Sequence, residues 1–560
     1  MSGWVVTNLY FRKPQMRDFV ISHPRYRGGI TLQLNLELTV LSAMLVGMCF
    51  TLANCQHTSS TEISQPRAQG AAPRVVKVRS GENLQKAIEG AQPGDRLLLA
   101  AGATYGAIVL PYKPTTGDQY VTVETEGFTA IVKDGERVQP AQHSSRMAKI
   151  LSSAGPAVGT APQAHHYKFI GIEFAPSPKA EYIYNLIDLG ASDYNSLAQF
   201  PHHLFFDRCY VHSTGLNRAR RGFAINTGET SVLNSYVSGF AGAGDETQAI
   251  AGWNGPGPIH IVNNFLQAGG EIIMFGGTDP SIPNLVPSDI EIRRNHLHRP
   301  SEWEGRAAIK GTFELKNARR VVVDGNLIDS RILTTAFVIT VRNQYGKAPW
   351  STIEDVEITN NIVRHASSGF NILGNDNEHP SQTARRIRIS NNLVIDVVQD
   401  NPANIPFFLQ INGGDTVTVE HNTVQQNGNI ITSYGQPTHG FIFRNNIVQF
   451  GKYGLVCVGE GPPCKREGPF CRCFPDNLIK ANVIADNENT LRSDSSISNQ
   501  YPVGNFFVDS FDSIRFVDYQ HGDWRLAPES KVRSKATDGK DPGIDINALN
   551  ASGVRAAGSN

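Results

Sequence analysis

Residues 261–266 read IVNNFL, and this pattern of a short strand, an asparagine and a second apolar run recurs seven times up to residue 484. The other segments are EIRRNHL (291–297), VVDGNLI (322–328), ITNNIV (358–363), RISNNLV (388–394), VTVEHNTV (417–424), FRNNIV (443–448) and KANVI (480–484). The aligned asparagines are Asn264, Asn295, Asn326, Asn361, Asn392, Asn422, Asn446 and Asn482, at steps of 31, 31, 35, 31, 30, 24 and 36 residues. Because the repeat has strand patterns and no helical pattern, it predicts coils of a parallel β-solenoid with the asparagines stacked in one turn.

Length and charge narrow the class of protein. A chain of 560 residues would ordinarily contain several domains, but a solenoid grows in one dimension and can be a single unit of this size. The 51 basic residues balance the 51 acidic ones, which argues against nucleic acid as a partner. We expect a monomer.

The N-terminal region has the pattern of an export signal. Residues 38–53 are apolar and nearly uncharged, and Arg17, Arg25 and Arg27 precede them. Sixteen residues are short for a membrane span and suit a signal segment. We therefore predict an N-terminal extension and signal over 1–55 and a flexible linker over 56–74.

The signal segment ends in LANC (52–55), which resembles a bacterial lipoprotein box. On that resemblance Cys55 would be lipidated, and the lipid would be the only contact with a membrane. The alternative is ordinary secretion after cleavage near the same place. Either reading places the protein outside the cytoplasm, secreted or anchored at the cell envelope.

Four cysteines lie close together in an insertion rich in Gly and Pro: Cys457, Cys464, Cys471 and Cys473. In an exported protein this spacing predicts one or two disulfides. A metal site is the alternative, although no histidine lies among them.

The segment from residue 75 predicts how the solenoid begins. VVKVRSG (75–81) is a strand, and Leu84 and Ile88 have helical spacing behind Ser80 as the expected N-cap. Such a helix would cover the open end of the solenoid. With ATYG (103–106) and the asparagine coils, this opening resembles the pectate-lyase-like right-handed parallel β-helix superfamily. The resemblance implies an all-β, right-handed parallel β-helix over 75–520 with an N-terminal capping helix, followed by a closing segment and tail over 521–560.

Each asparagine turn is followed by a second apolar strand, and alternation along these strands predicts which side chains face outward. One outward column reads Ala224, Ala251, Ile273, Glu314, Thr340, Asn371, Gln410 and Ile431. The other reads Asn226, Trp253, Phe275, Lys316, Arg342, Leu373, Asn412 and Ser433. We call these columns the predicted strip.

The predicted strip brings Lys316 and Arg342 onto neighbouring coils, about 4.8 Å apart, with Glu314 beside them. Lys316 next to Arg342 would have its charged form disfavoured and could act as a base. The arrangement resembles that of the β-helical alginate and chondroitin lyases. On that resemblance Lys316 is the base, Arg342 the acid or the holder of the substrate carboxylate, and Glu314 a ligand of calcium as cofactor.

The remaining residues of the strip suit an elongated glycan. Trp253 and Phe275 would offer flat faces for sugar rings, and Asn371, Gln410 and Asn412 would continue as a polar row. The sequence therefore predicts binding, and cleavage by β-elimination, of an acidic, uronic-acid-containing polysaccharide.

Two other functions remain open. A pair of carboxylates among Asp245, Glu271 and Asp279, on loops beside the same face, would suit glycoside hydrolysis. His212, Arg220 and Arg221 form a further polar cluster to which no pattern assigns a role. The same strip could also serve a non-catalytic, glycan-binding surface protein, because the fold hosts all three functions.

Overall fold

The chain winds through three long parallel sheets of 14, 14 and 12 strands. The computed structural model describes residues 74–554 except 116, 399–404, 460–468, 487–489 and 494. The signal segment with Cys55, most of the linker and the end of the tail lie outside the described residues. Within the described part of the chain, no helix is both long and apolar enough to cross a membrane.

Each complete coil contributes one strand to each sheet in turn. The first sheet contains Val75–Val78, Arg96–Leu99, Val121–Thr125, His165–Ile170, His202–Asp207, Thr230–Leu233, Ile259–Val262, Ser288–Arg293, Ala318–Asp324, Ile353–Thr359, Arg385–Ser390, Asp415–Glu420, Ile442–Arg444 and Leu478–Lys480. The second sheet contains Thr104–Gly106, Ala148–Ser152, Ile172–Pro176, Tyr210–His212, Tyr236–Phe240, Phe265–Ala268, His296–Arg299, Leu327–Ser330, Ile362–Arg364, Leu393–Val397, Thr423–Gln426, Ile447–Gln449, Val483–Ala485 and Phe506–Val508. The third sheet contains Ile108–Leu110, Val158–Thr160, Ile183–Leu189, Ala219–Ile225, Gln248–Gly252, Ile273–Phe275, Phe313–Leu315, Thr335–Thr340, Ser368–Leu373, Phe407–Asn412, Asn429–Gly435 and Leu455–Gly459.

Helices are few and short among the described residues. The α-helices are Leu84–Gly90, Pro140–His143, Thr490–Ser493, Ser495–Ser498 and Ile546–Ala551. The 3-10 helices are Phe128–Ala130, Ser144–Arg146, Leu197–Gln199, Ser301–Trp303, Pro469–Arg472, Asp512–Ile514 and Tyr519–His521. The right-handed parallel β-helix predicted from the sequence is confirmed.

The asparagines form a buried ladder between the first and second sheets. Each amide Nδ2 donates to the Oδ1 of the next asparagine at 2.9–3.0 Å, from Asn264 to Asn482 and on to Asn505. Each Oδ1 also accepts a backbone N–H from the preceding coil, as Asn361 does from Asn326 at 2.9 Å. Every polar atom of a rung is therefore paired, which allows these amides to be buried. The predicted asparagine stack is confirmed.

Apolar columns fill the interior of the coils. On the third sheet Phe313, Phe337 and Phe370 occupy paired positions with ring centroids 4.8–5.5 Å apart, and all three are fully buried. This inward column fixes which residues of the same strands face outward, because side chains alternate along a strand.

The helix Leu84–Gly90 places Leu84 and Ile88 in the core at the start of the β-helix. Its N-cap is Asn83, whose Oδ1 accepts the Lys86 N–H at 3.1 Å, and not Ser80 as the sequence suggested. Both residue types are good caps, so sequence alone did not distinguish them.

The cysteine insertion is oxidised, as predicted. A disulfide joins Cys457 and Cys473. Cys471 is also disulfide-bonded, while Cys464 lies outside the described residues. Because a disulfide leaves no thiolate, the alternative of a metal site at Cys457, Cys471 and Cys473 is excluded.

Candidate functional site

The outward residues of the third sheet form a continuous column across the coils. Successive paired positions are Ala224, Ala251, Met274, Glu314, Val338, Asn371, Gln410 and Thr432. The column differs from the predicted strip in three coils, where Met274, Val338 and Thr432 stand in place of Ile273, Thr340 and Ile431. Met274 and Thr432 each lie one residue from the predicted position, because uncharged neighbours left alternation unable to fix the register. Val338 and Thr340 lie two residues apart on the same face, so in that coil the predicted alignment shifted along the strand without changing the face.

Phe275 is the predicted binding residue that the structure corrects. It pairs with Leu315, is fully buried, and belongs to the core. Its neighbour Met274 faces outward instead. The run EIIMF allowed either register, and in the structure the larger aromatic ring packs in the hydrophobic core. Phe275 therefore offers no surface to a ligand.

Lys316 and Arg342 lie on neighbouring coils, as predicted. The Arg342 N–H donates to the Lys316 carbonyl at 2.9 Å, and the residues directly before them, Leu315 and Val341, are buried in the core. The side chain of Lys316 is 14% exposed and that of Arg342 is 31% exposed. Both side chains thus leave the same edge of the third sheet on its outer side.

Arg342 is held in place by the next coil. Its Nη1 donates to Asp376 Oδ1 at 3.3 Å and also to Asn377 Oδ1. Burial would raise the pKa of Asp376, but backbone N–H groups of Glu378 and Asn343 and the charge of Arg342 lower it. An ionised Asp376 therefore orients the guanidinium while part of it stays open to solvent.

Glu314 and Glu271 form a buried carboxyl pair beside Lys316. The Lys316 Nζ lies 3.2 Å from Glu314 Oε2. Burial raises the pKa of Glu314 to about 7; the charge of Lys316 opposes this rise and that of Glu271 adds to it. Burial would likewise raise the pKa of Glu271, yet the hydrogen bonds from Gln248 and Glu314 and the charge of Lys316 lower it.

The pair consequently shares one proton near neutral pH. Glu271 Oε1 is buried and has no other hydrogen-bond partner, so the proton carried by Glu314 is the donor that can satisfy it. Two carboxyl groups with pKa values moved in opposite directions are a common feature of sites that transfer protons.

A polar row runs from this pair toward the N-terminal coils. Asn185, Arg221 and Gln248 occupy paired positions of successive third-sheet strands. Arg221 donates to Asn185 Oδ1 at 3.2 Å and to Gln248 Oε1 at 2.7 Å, and Gln248 donates to Glu271 Oε2 at 2.8 Å. The carboxyl pair is thus linked through three coils to a buried guanidinium.

This row borders a cleft of about 330 Å³ that reaches Met274 and Gly276. Trp253 lines the cleft but is only 9% exposed, because the Arg221 guanidinium lies 5.2 Å from its ring and its Nε1 donates to Ser192 Oγ at 2.9 Å. Burial raises the pKa of Asp188 in the same cleft. Trp253 therefore contributes an edge of the cleft and not an open stacking face.

Gly276 lies between the cleft and Lys316, and its lack of a side chain leaves room for Lys316 at the end of the cleft. A Cβ at Gly276 would lie 2.7 Å from Lys316 Cβ, and its φ of +99° is in the region that favours glycine.

The predicted amide row continues on the other side of Arg342. Asn371, Gln410 and Asn412 are half-buried on the outer face of successive strands. Gln410 donates to Asn371 Oδ1 at 3.3 Å, and Asn412 Oδ1 accepts the Gln436 N–H at 2.9 Å. These amides retain unused donors and acceptors toward solvent, which suits hydroxyl groups of a sugar chain.

The three acids considered for hydrolysis have separate surroundings. Asp279 accepts the backbone N–H groups of Tyr345 and Lys347 at 2.9 and 3.0 Å and so fastens one loop to another. Asp245 accepts the Tyr182 hydroxyl. Of the three, Glu271 is the acid that contacts Glu314.

Calcium is implied only by the resemblance to lyases, and the residues present fit it poorly. Calcium takes about six to eight oxygen ligands. Glu314 and Glu271 supply two carboxyl groups, but the ammonium groups of Lys316 and Lys310 already lie 3.2 and 4.0 Å from them. Gln248 Oε1 is engaged by Arg221. No step of the proposed reaction therefore requires a bound calcium ion, and the role of Glu314 as a calcium ligand stays a prediction.

Sequence reasoning missed Gln248, Asp188 and Asp376 as members of the site. Asp188 and Gln248 lie within third-sheet strands and Asp376 follows one, and none of them belongs to a sequence motif. The signal that would have found them is the coil register itself, since Gln248 pairs with Arg221 one coil earlier.

No known family model matches the chain. No curated protein matches it either. Among solved structures, a family 6 alginate lyase is 12% identical with a TM-score of 0.45, over 84% of this chain and 58% of that protein. A family 6 polysaccharide lyase from Pseudopedobacter saltans is 11% identical with a TM-score of 0.42, over 84% of this chain and 99% of that protein.

A mannuronic-acid-specific family 6 lyase from human gut microbiota is 13% identical with a TM-score of 0.42, over 86% of this chain and 98% of that protein. The match to the family 6 alginate lyase covers little more than half of that protein's length, 58%. Function therefore rests on the residues of the site itself.

Proposed function

We propose that the protein binds an acidic, uronic-acid-containing polysaccharide along the outer face of the third sheet and cleaves it by β-elimination. The observation that carries the proposal is the position of Lys316 and Arg342 on neighbouring coils, both partly exposed. A cation that can hold a carboxylate and a nitrogen that can exchange a proton are the two groups such a reaction requires.

Arg342 receives the carboxylate of the sugar at the cleavage point. Its guanidinium can donate two parallel hydrogen bonds to a carboxylate, and Asp376 and Asn377 fix its direction. When the proton next to that carboxylate leaves, negative charge spreads onto the carboxylate oxygens. Arg342 then stabilises this enediolate more strongly than the starting carboxylate.

Lys316 is the base and acts in its neutral form, once its ammonium has released a proton to solvent. Glu314 lies 3.2 Å away and keeps its own proton near neutral pH, so it does not take the proton of Lys316. The amine removes the proton on the carbon next to the sugar carboxylate. The electron pair left there forms a carbon–carbon double bond as the bond to the glycosidic oxygen breaks, and Lys316 returns the proton to that oxygen.

Hydrolysis is the second candidate, because the pKa values of Glu271 and Glu314 are moved in opposite directions. It ranks second because Glu271 is fully buried and shares a proton with Glu314. The acid and base of a glycosidase are separated by about 5 to 9.5 Å so that sugar and water fit between them.

The test is incubation of the purified chain with alginate, polygalacturonate and chondroitin sulfate in turn. β-Elimination produces an unsaturated sugar that absorbs in the near ultraviolet, whereas hydrolysis produces reducing ends without that absorbance. We expect the absorbance with at least one polymer, and a loss of roughly 100-fold or more in kcat for Lys316→Ala.

Lys452→Ala is the matched control, since Lys452 is exposed and lies away from the site. It should leave the rate unchanged. Reducing ends without absorbance would replace the lyase proposal by hydrolysis. Binding of a polymer without either product would leave a non-catalytic glycan-binding protein, and neither binding nor product would overturn the proposal.

A further inference from the structure

Four histidines lie together on the first sheet, away from the site described above. His165 and His166 begin the strand His165–Ile170, and His202 and His203 begin the paired strand of the next coil. The rings of His165 and His202 stack with centroids 4.9 Å apart, and those of His166 and His203 stack at 4.4 Å. The coil register thus brings together two adjacent pairs of histidines that are 37 residues apart in the sequence.

The ring nitrogens of these histidines point at one another. The Nδ1 atoms of His165 and His166 are 2.7 Å apart, and those of His202 and His203 are 2.6 Å apart. His166, His202 and His203 each place one ring nitrogen within 4.8 Å of the others. His166 is 9% exposed, and its Nε2 is buried without a hydrogen-bond partner. A buried ring nitrogen without a partner in the protein can accept a ligand from outside it.

Glu229 fixes the tautomer of one ring. His203 Nε2 lies 3.2 Å from Glu229 Oε2, so the Nε2–H donates to the carboxylate and Nδ1 carries the lone pair. A carboxylate that accepts from the outer nitrogen of a histidine is the usual support of a metal-binding imidazole.

The same column of the first sheet is filled differently in later coils. There the corresponding residues are Asp289, Arg320, Asp355 and Arg386, which form ion pairs from coil to coil at 2.6–2.7 Å. In the histidine coils no such alternation of charge exists, and a carboxylate, Glu229, follows next. In the later coils arginine side chains supply the positive charge that pairs with the carboxylates of this column. Because the histidine coils contain no arginine there, a bound cation could take that place.

We propose that His166, His202 and His203 bind one divalent transition-metal ion, with Glu229 holding His203 from behind. Imidazole suits Zn²⁺, Cu²⁺ and Ni²⁺. Metal–nitrogen bonds of about 2.0–2.1 Å place the ligand nitrogens roughly 3.3 Å apart around a tetrahedral ion, within the 4.8 Å over which one nitrogen of each of the three rings is spread here. The ion would tie two coils together near the N-terminal end of the β-helix.

A second histidine cluster on the second sheet does not support the same inference. It consists of His296, His298 and Asp329. Asp329 already pairs with Arg364 at 2.9 Å and with His365 at 2.7 Å, and the pKa of His296 is lowered to about 4, first by burial and then by His298. The nearby arginines repel a cation, so this cluster serves as a control.

The experiment adds Co²⁺ and then Zn²⁺ to the full chain after dialysis against a chelator. We expect one equivalent of Co²⁺ to give the visible absorption of a nitrogen-bound ion, Zn²⁺ to displace it, and Zn²⁺ to raise Tm. Glu229→Gln should weaken binding about 10- to 100-fold, and His203→Gln should weaken it further. The double variant His296→Gln, His298→Gln should bind as the unmodified chain does.

Two results would overturn the proposal. One is an unmodified chain that leaves Co²⁺ with the spectrum of the ion in water, a result that does not depend on whether any variant folds. The other is binding that is lost in the His296, His298 double variant but kept in His203→Gln. Circular dichroism of each variant separates loss of the site from loss of the fold.

Discussion

Glu314 keeps a proton close to neutral pH because burial and the charge of Glu271 outweigh the ammonium of Lys316. In the unfolded chain its pKa returns to the ordinary 4.5. Between these two values the unfolded chain releases the proton while the folded chain keeps it. This group therefore stabilises the fold fully below pH 4.5 and loses that contribution as the pH rises toward about 7.

Glu314→Gln should remove this pH dependence, because glutamine has the shape of the protonated acid and does not ionise. We expect the variant to gain roughly 1 to 3 kcal/mol over the unmodified chain between about pH 5 and about pH 8. Urea unfolding at both pH values measures the difference.

Glu420→Gln is the control for that measurement. The charges and hydrogen bonds of Arg444 and Arg388 lower the pKa of Glu420 against the effect of burial, so its contribution is lost only at more acid pH. Its difference from the unmodified chain should stay constant over the same range. A constant difference for Glu314→Gln as well would show that Glu314 is ionised throughout.

At this scale the sequence could predict some residues of the site and not others. Lys316 and Arg342 were predictable because polar residues at the ends of apolar strands have one orientation that keeps the core dry. Phe275 was not, since EIIMF satisfies the core in either register. The contact between Glu271 and Glu314 depends on how two coils stack, which no pattern within one coil encodes.

The asparagine ladder is the element that the sequence predicted most completely. An asparagine that recurs at the same turn of every coil can pair its buried amide donors and acceptors by stacking on the asparagine of the next coil. Asn361 accepts the N–H and Nδ2 of Asn326 at 2.9 Å and donates to Val323 O and Asn392 Oδ1 at 2.9 and 3.0 Å. The ladder is unbroken across the steps of unequal length, as in the contact from Asn446 to Asn482.

Asn361→Ala should therefore cost about 3 kcal/mol, because it leaves buried donors and acceptors on three neighbouring residues without partners. The free energy of unfolding in urea is the measurement. Asn550→Ala, at an exposed position, should change stability little. If the two substitutions lower the free energy of unfolding by the same amount, the ladder does not stabilise the fold.

At the scale of the whole molecule, the closing segment packs on the outside of the β-helix. Ile546, Leu549 and Val554 form an apolar cluster with residues of the second sheet that include Ile362 and Leu393. Asn445 fastens the same segment, accepting the Thr537 N–H at 2.8 Å. The sequence predicted that a closing segment exists but not this surface, because the contacts span more than a hundred residues and follow no repeat.

Leu549→Asp should release this segment while the coils stay folded. Leu549 is fully buried against the second sheet, and a charge there loses both the apolar contact and its hydration. Limited trypsin digestion should then cut after residues such as Arg533 roughly tenfold faster or more. Ala548→Asp is the matched control, since Ala548 is exposed in the same helix and should leave the cleavage rate unchanged. Equal rates for both variants would show that the segment is held by its hydrogen bonds, such as that to Asn445, and not by its apolar side chains.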